Sequence, residues 1–276
     1  MALFGSTLLD DSDRSPVYWY EARRPLPTLL FVLPLILLYE FGVAAAPQAG
    51  ELVRNGADCW MRSWMLNAGL PGGWLLPVLV VGGLLSWQIV GRYRWTASFD
   101  TLTGMFGESL LFALLLVIGG QSLAVCFRSH GFETLTVSTD AAGASSPGAR
   151  ALSFLGAGLY EELMFRLALI PFAFYLLRMF LIPRSVSIGL AVVASSLIFA
   201  AAHYLDPQSP IGWTAFADAF ERVAADPALW YGFSFRLLAG LGFAVLLLLR
   251  GFGITVGCHA FYDLVAGVVM QAPHAG

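Results

Sequence analysis

The sequence contains no lysine, few charged residues of either sign and only three cysteines. Charged side chains make up 12% of its 276 residues, whereas 58% are hydrophobic. Soluble domains typically carry roughly 25% charged residues. This composition predicts a single integral membrane domain over residues 1–276. The net charge of −3 provides no basic surface, which argues against nucleic acid as a partner.

The three cysteines, Cys59, Cys126 and Cys258, show no CxxC spacing. The sequence therefore gives no support for a thiolate metal site. A disulfide between Cys59 and Cys126 stays open if both residues face an oxidising compartment.

Apolar runs of roughly twenty residues predict membrane-spanning helices. The fold class expected is all-α, a polytopic transmembrane helical bundle with seven or eight spans. The fourth run covers 31 residues, more than the roughly 25 that one tilted helix needs, so it is either a helix kinked at Pro171 or two shorter helices. The runs are 27–46, 70–91, 104–127, 152–182, 185–204, 230–250 and 252–271.

Residues 1–26 are predicted to form a polar N-terminal segment. The apolar run that follows is longer than the roughly 7–15 residues of a signal-peptide core, so we interpret it as the first membrane span. With seven spans, eight loop arginines against five favour a cytoplasmic N-terminus. The arginine-only, Ala- and Gly-rich composition is typical of a GC-rich prokaryotic genome and predicts a location in a prokaryotic inner membrane.

Two segments between the spans differ in character. Residues 127–150 are rich in Ser, Thr, Gly and Ala and predict an extramembrane loop. In residues 214–226 the apolar positions recur at helical spacing, which predicts an amphipathic helix at the membrane interface.

Charged residues interrupt the fourth apolar run in the stretch "YEELMFR". Glu162 and Arg166 are four residues apart, share one helix face and are predicted to form an ion pair. The side chain of Glu161 points about 100° away from that of Glu162 around the helix axis, so it cannot easily pair with Arg166. Ionisable groups within a span are costly, so the cluster indicates either a functional site or a charge network that pins helices together.

Two of the four histidines also fall within apolar spans. His203 follows Phe199 by four residues at the end of one span, and His259 shares a helix face with Asp263 in the last. Together with Glu161 these side chains offer a base, a polarising group and a hydrogen-bond donor. Attack of water on an amide requires such a set.

The three motifs E-E-x-x-x-R, F-x-x-x-H and H-x-x-x-[ND], in this order along the chain and each in a predicted span, resemble those of the CAAX prenyl protease and bacteriocin-processing family of intramembrane glutamic endopeptidases. The resemblance covers about residues 150–270, which we expect to form the catalytic core region. It implies a helical membrane bundle with a membrane-embedded catalytic cavity, and a membrane-associated peptide or protein as the substrate.

Carried over to these positions, the resemblance implies that Glu161, aided by His203, activates the attacking water. His259 would stabilise the oxyanion with help from position 263, and Glu162 and Arg166 would organise the first glutamate. Asp263 departs from the Asn of the eukaryotic CAAX-processing branch. A carboxylate cannot donate a hydrogen bond unless it is protonated, so we expect Asp263 to orient His259.

Alternatives stay open at this stage. Glu161, His203 and His259 also form a possible ligand set for catalytic zinc, although the H-E-x-x-H pair of many zinc proteases is missing. We expect no cofactor. The alternative function is a non-catalytic membrane scaffold, transporter or immunity factor that uses the same buried charges. Glu40 and Glu108 are interpreted as acids that either form a hydrogen bond within the helix bundle or pair with Arg236.

Overall fold

The computed structural model describes residues 18–45, 54–132, 134, 146–206 and 212–270. All regular secondary structure in these ranges is helical, which confirms the all-α fold class. Half of the predicted loop 127–150 and much of the polar segment 1–26 lie outside the described residues. The helices are α1 (Tyr18–Glu21), α2 (Pro25–Ala45), α3 (Gly56–Asn67), α4 (Leu75–Val90), α5 (Phe99–Ser129), α6 (Pro147–Glu161), α7 (Leu169–Met179), α8 (Arg184–Ala202), α9 (Trp213–Ala225), α10 (Trp230–Arg250) and α11 (Phe252–Leu264).

Four helical segments in the described ranges are long and apolar enough to cross a membrane. Helices α2, α5 and α8 are three of them, and α10 with the 3-10 turn that precedes it is the fourth. The helical segments Leu75–Val90 and Phe252–Val268 are also apolar but shorter. Each predicted apolar run thus corresponds mainly to helix, while the number of spans, seven or eight, stays a prediction.

The fourth apolar run forms one helical segment with an internal irregularity. A π-helix, Glu162–Ala168, joins α6 to α7, and the backbone N–H of Leu169 donates to the carbonyl of Met164, five residues earlier. Pro171 has no N–H to donate to the carbonyl of Leu167, so the regular hydrogen-bond pattern cannot continue through this turn. The widened π turn accommodates this gap, and it contains both Glu162 and Arg166.

The amphipathic helix expected at 214–226 is present as α9. Its buried residues, Ala215, Ala219 and Val223, recur every four positions and form the face that packs against the bundle. Its position at a membrane interface stays a prediction.

Helix α3 was not expected from the sequence, because charged residues interrupt its apolar positions.

A buried network of charged side chains holds α3 against α2. Arg62 of α3 donates to Glu40 of α2 at 2.6 Å and to Asp58 at 2.5 Å. Tyr39 also donates to Asp58, at 2.8 Å, and the Tyr160 hydroxyl of α6 donates to Glu40. Because every member is paired, the network can be buried without leaving an isolated charge.

The two acids that were considered partners for Arg236 pair with other arginines. Glu40 pairs with Arg62, and Glu108 forms a bidentate ion pair with Arg250 at 2.6 to 2.9 Å. The Arg236 guanidinium donates instead to the Tyr204 hydroxyl at 3.1 Å. Arg236 was therefore the wrong partner for these two acids, because contacts between distant helices depend on tertiary packing.

The three cysteines are free thiols.

Helices α6 and α11 approach each other closely at Gly158. A Cβ atom built on Gly158 would lie 2.6 Å from the backbone nitrogen of Ala260 and 2.7 Å from its Cβ. Both distances are well inside van der Waals contact, so only glycine permits this approach. Gly158 lies one turn before Glu161 and Ala260 follows His259, so this contact brings the two helices together at the predicted site.

Gly158→Ala should therefore lower the stability of the bundle. The added methyl group has to displace the α11 backbone, and overpacking of this kind costs about 1–3 kcal/mol. Thermal unfolding of the detergent-solubilised chain measures the effect. Gly242→Ala in α10 is the matched control, since a Cβ atom there would meet no atom of a neighbouring helix within 4 Å. That control should be neutral or stabilising by up to about 1 kcal/mol, and equal melting temperatures for both variants would contradict the prediction.

Candidate active site

The structure brings together the three side chains singled out by the sequence. Glu161 ends α6, His203 follows the last residue of α8, and His259 lies in the middle of α11. The Oε2 atom of Glu161 lies 4.0 Å from Nε2 of His203 and 3.9 Å from Nε2 of His259. These separations are too long for direct hydrogen bonds, but one water molecule can contact the carboxylate and an imidazole at the same time.

The tautomer of His203 follows from its contact with the preceding turn. Its Nδ1 lies 2.8 Å from the carbonyl oxygen of Phe199, which can only accept a hydrogen bond. Nδ1 therefore carries a proton and donates a hydrogen bond to the carbonyl oxygen of Phe199. In the neutral ring Nε2 is then an acceptor, and it faces Glu161. The Phe199 ring packs edge-on against the His203 ring, at 4.9 Å between centroids.

His259 is held between carboxylates on both ring nitrogens. Its Nδ1 donates to Oε1 of Glu162 at 2.7 Å, and its Nε2 lies 3.4 Å from Oδ2 of Asp263. The shortest contact that orients the ring therefore involves Glu162, whereas the sequence interpretation gave this role to Asp263. Phe243 stacks on the ring with 4.5 Å between centroids. The imidazole thus has a defined plane and a defined direction.

Arg166 is completely buried beside this site. Its guanidinium forms the predicted ion pair with Glu162 at 3.3 Å, and both side chains are fully shielded from solvent. The guanidinium carbon lies 4.0 Å from the centre of the Phe199 ring and 5.3 Å from that of Phe243. Cation–π attraction to these rings adds to the ion pair in stabilising a desolvated charge.

Exposure differs between the two groups of charged residues. The side chains of Glu161, His203 and Asp263 are 13%, 15% and 12% exposed, whereas Glu162 and Arg166 are at 0%. The first group is thus partly exposed, although Oε2 of Glu161 itself is buried, whereas the second group is completely enclosed. This difference fits a group of reacting side chains that is held in place by the fully buried ion pair of Glu162 and Arg166.

One contact of Glu161 was missed by the sequence interpretation. Nδ2 of Asn55 donates to its Oε1 at 3.3 Å. Asn55 precedes α3, more than one hundred positions before Glu161 in the chain. An Asn-Gly pair ahead of an amphipathic helix indicates an N-cap, but that signal does not identify a residue of the site.

The sequence left open whether Glu161, His203 and His259 bind a metal ion. Among the residues that the structure describes, no group of three or more His, Cys, Asp or Glu side chains meets the arrangement needed to hold one. Glu161, His203 and His259 remain the donor set to examine, because their side chains are the ones that converge.

Comparison with known families agrees with the motifs. Residues 145–265 match the model of the family described as Rce1-like, type II CAAX prenyl endopeptidase. This segment is Rce1-like. It spans α6 to α11 and includes all seven residues named by the sequence interpretation, so the predicted resemblance is confirmed. Taken with the apolar helices, this match of one segment to a protease family indicates an integral membrane protein. No curated protein and no solved structure matches the chain.

Replacement of Arg166 in the Rce1-like segment should strongly reduce stability. Arg166→Ala leaves Glu162 as a buried charge without its cationic partner, at a cost of about 3–5 kcal/mol. Chemical unfolding in detergent measures the loss. The double variant Arg166→Met with Glu162→Gln removes both charges and should recover part of that stability. A single Arg166→Ala variant that unfolds like the wild-type protein would show that the pair contributes little.

Proposed function

We propose that the chain is an intramembrane endopeptidase that hydrolyses a peptide bond of a membrane-associated protein or peptide, with water activated by Glu161. The observation that carries this proposal is the convergence of Glu161, His203 and His259. One carboxylate oxygen lies about equally far from the two imidazole nitrogens, at 4.0 and 3.9 Å. In this arrangement a single water molecule fits between the Glu161 carboxylate, which is the base, and Nε2 of His203, which accepts a hydrogen bond.

In the first step Glu161 and His203 act on the water. Glu161 takes one proton as general base, and Nε2 of His203 accepts a hydrogen bond from the other O–H. The water oxygen then attacks the carbonyl carbon of the peptide bond, whose oxygen takes on negative charge. The carbonyl then re-forms, the C–N bond breaks, and Glu161 gives its proton to the leaving amine, which balances the reaction without a cofactor.

His259 is suited to bind the negative oxygen. Its Nδ1 is occupied by Glu162 at 2.7 Å, so Nε2 is the nitrogen that faces Glu161, at 3.9 Å from Oε2. With a proton on each nitrogen, the ring donates to Glu162 on one side and to the oxyanion on the other. Nearby carboxylates stabilise such a positive charge by Coulomb attraction. Asp263, 3.4 Å from Nε2, then positions that donor.

The membrane location limits the substrate to chains that can enter the bilayer or its interface. The Rce1-like match supports a substrate of the CAAX type, in which a lipidated peptide end is presented to the site. A membrane-associated peptide without a lipid is the other form to test. We place the enzyme in a prokaryotic inner membrane with the N-terminus in the cytoplasm, as the composition and arginine distribution predict.

Glu161→Gln should abolish cleavage while leaving thermal unfolding nearly unchanged, because glutamine keeps the shape but cannot take a proton from water. The assay uses the full chain in liposomes with two quenched fluorescent peptides, one farnesylated near its C-terminus and one unmodified. Glu221→Gln on the exposed surface of α9 is the matched control and should keep full activity. Substantial cleavage by Glu161→Gln would rule out the base assignment, and no cleavage by the wild-type protein would favour a scaffold or immunity role.

Metal content provides a separate test of the mechanism. If a carboxylate activates the water, the purified active protein should contain no stoichiometric metal and should keep its activity in strong chelators. Elemental analysis and activity after chelation measure both properties. About one zinc ion per chain, with activity lost on chelation and restored by zinc, would show that the metal alternative is correct.

A further inference from the structure

Asn55 contacts Glu161 from outside the segment that matches the family. Its side chain has two polar ends with different partners. Oδ1 accepts a hydrogen bond from the backbone N–H of Asp58 at 3.0 Å, and Nδ2 donates to Oε1 of Glu161 at 3.3 Å. Since a backbone N–H can only donate, the first contact requires the amide oxygen at that end. The amide orientation is therefore determined, and the N–H end must face Glu161.

This contact distinguishes the two oxygens of the Glu161 carboxylate. Oε1 is the oxygen bound to Asn55, whereas Oε2 is the one that lies between the two histidines. A carboxylate can rotate about its last side-chain bond and exchange these oxygens. A donor on one side opposes that rotation, because turning the group would break a hydrogen bond to a charged acceptor.

We propose that Asn55 is a positioning residue for the catalytic glutamate, which it holds with one oxygen directed at the water site. This inference rests on the proposed function, and it goes further by assigning a role in the site to the N-terminal half of the chain. Residue Asn55 is only 8% exposed, so bulk water cannot easily replace its hydrogen bond.

The buried charge network explains how Asn55 keeps its position. Asp58, which binds Asn55 through its backbone N–H, is itself fully buried and paired with Arg62 at 2.5 Å. Arg62 also binds Glu40 of α2, and the Tyr160 hydroxyl binds Glu40 from the residue next to Glu161. Any rotation of α3 would separate these buried charges, which is costly. The network thus connects α3 to α6 directly beside the site.

An ordinary N-cap is the alternative interpretation of Asn55. Asparagine often begins helices, and its contact with Glu161 could be incidental to that purpose. The two roles can be separated by chemistry. Serine and aspartate also accept the N-cap hydrogen bond, but serine is too short to reach Glu161 and aspartate has no N–H to donate.

The experiment compares full-length Asn55→Ser and Asn55→Asp with the wild-type protein in liposomes, using the same two quenched peptides. For Asn55→Ser we expect a melting temperature close to that of the wild-type protein, a kcat roughly 10- to 100-fold lower and little change in KM, as for loss of one hydrogen bond to a charged group. Asn55→Asp places a second carboxylate beside Glu161, so it should lower both kcat and the melting temperature. The control is Ser146→Ala, which removes the N-cap of α6 at the end remote from Glu161. It should lower the melting temperature while kcat is kept.

Infrared difference spectroscopy of Glu161 provides a readout that needs no substrate. Subtracting the spectrum of Glu161→Gln from that of the wild-type protein assigns the carboxylate stretching band of Glu161. We expect this band to shift in Asn55→Ser and to stay in place in Ser146→Ala. A kcat at the wild-type level, or an unshifted band, in whichever Asn55 variant folds would overturn the positioning role. If the wild-type protein cleaves neither peptide, the proposed function fails by itself, and the band alone decides whether Asn55 holds Glu161.

Discussion

The buried charge of Arg166 is the constraint on which the rest of the site depends. A guanidinium without access to water needs a nearby anion, and Glu162 on the same helix face supplies it at 3.3 Å. Glu162 in turn accepts a hydrogen bond from His259, so the ion pair connects the π-helix that follows α6 to α11. One electrostatic requirement in the interior of the bundle therefore determines both the pairing of two helices and the orientation of an imidazole.

Two backbone features make this arrangement possible. Gly158 lets α6 approach the backbone of α11 at a distance that a Cβ atom would prevent. The π turn that begins at Glu162 then changes the direction of side chains within a helix that would otherwise be regular. Adjacent residues on a helix diverge by about 100°, so the two glutamates face different surroundings. Glu162 is enclosed with Arg166, whereas Glu161 stays partly accessible next to His203.

Much of the fold and of the site could be predicted from local patterns. Apolar runs gave the positions of the long helices, and helical spacing in 214–226 predicted α9 correctly. The pairing of Glu162 with Arg166 could also be predicted, since residues four apart share a helix face. Contacts between distant segments could not, and this is why Arg236 was wrongly considered as the partner of Glu40 and Glu108. Helix α3 was missed for a related reason, because its charges pair with each other and with Glu40 of α2, and the contact with α2 is not visible in the local sequence.

The sequence by itself determined which residue types lie in the membrane segments and in which order, because hydrophobicity and helical period are properties of neighbouring residues. It therefore determined that Glu161, His203 and His259 would be polar groups in apolar surroundings. Only the tertiary structure decided that they meet, that Glu162 rather than Asp263 binds Nδ1 of His259, and that Asn55 reaches Glu161. Those contacts depend on distances between helices that packing determines, and residues one hundred positions apart carry no local pattern that encodes such a distance.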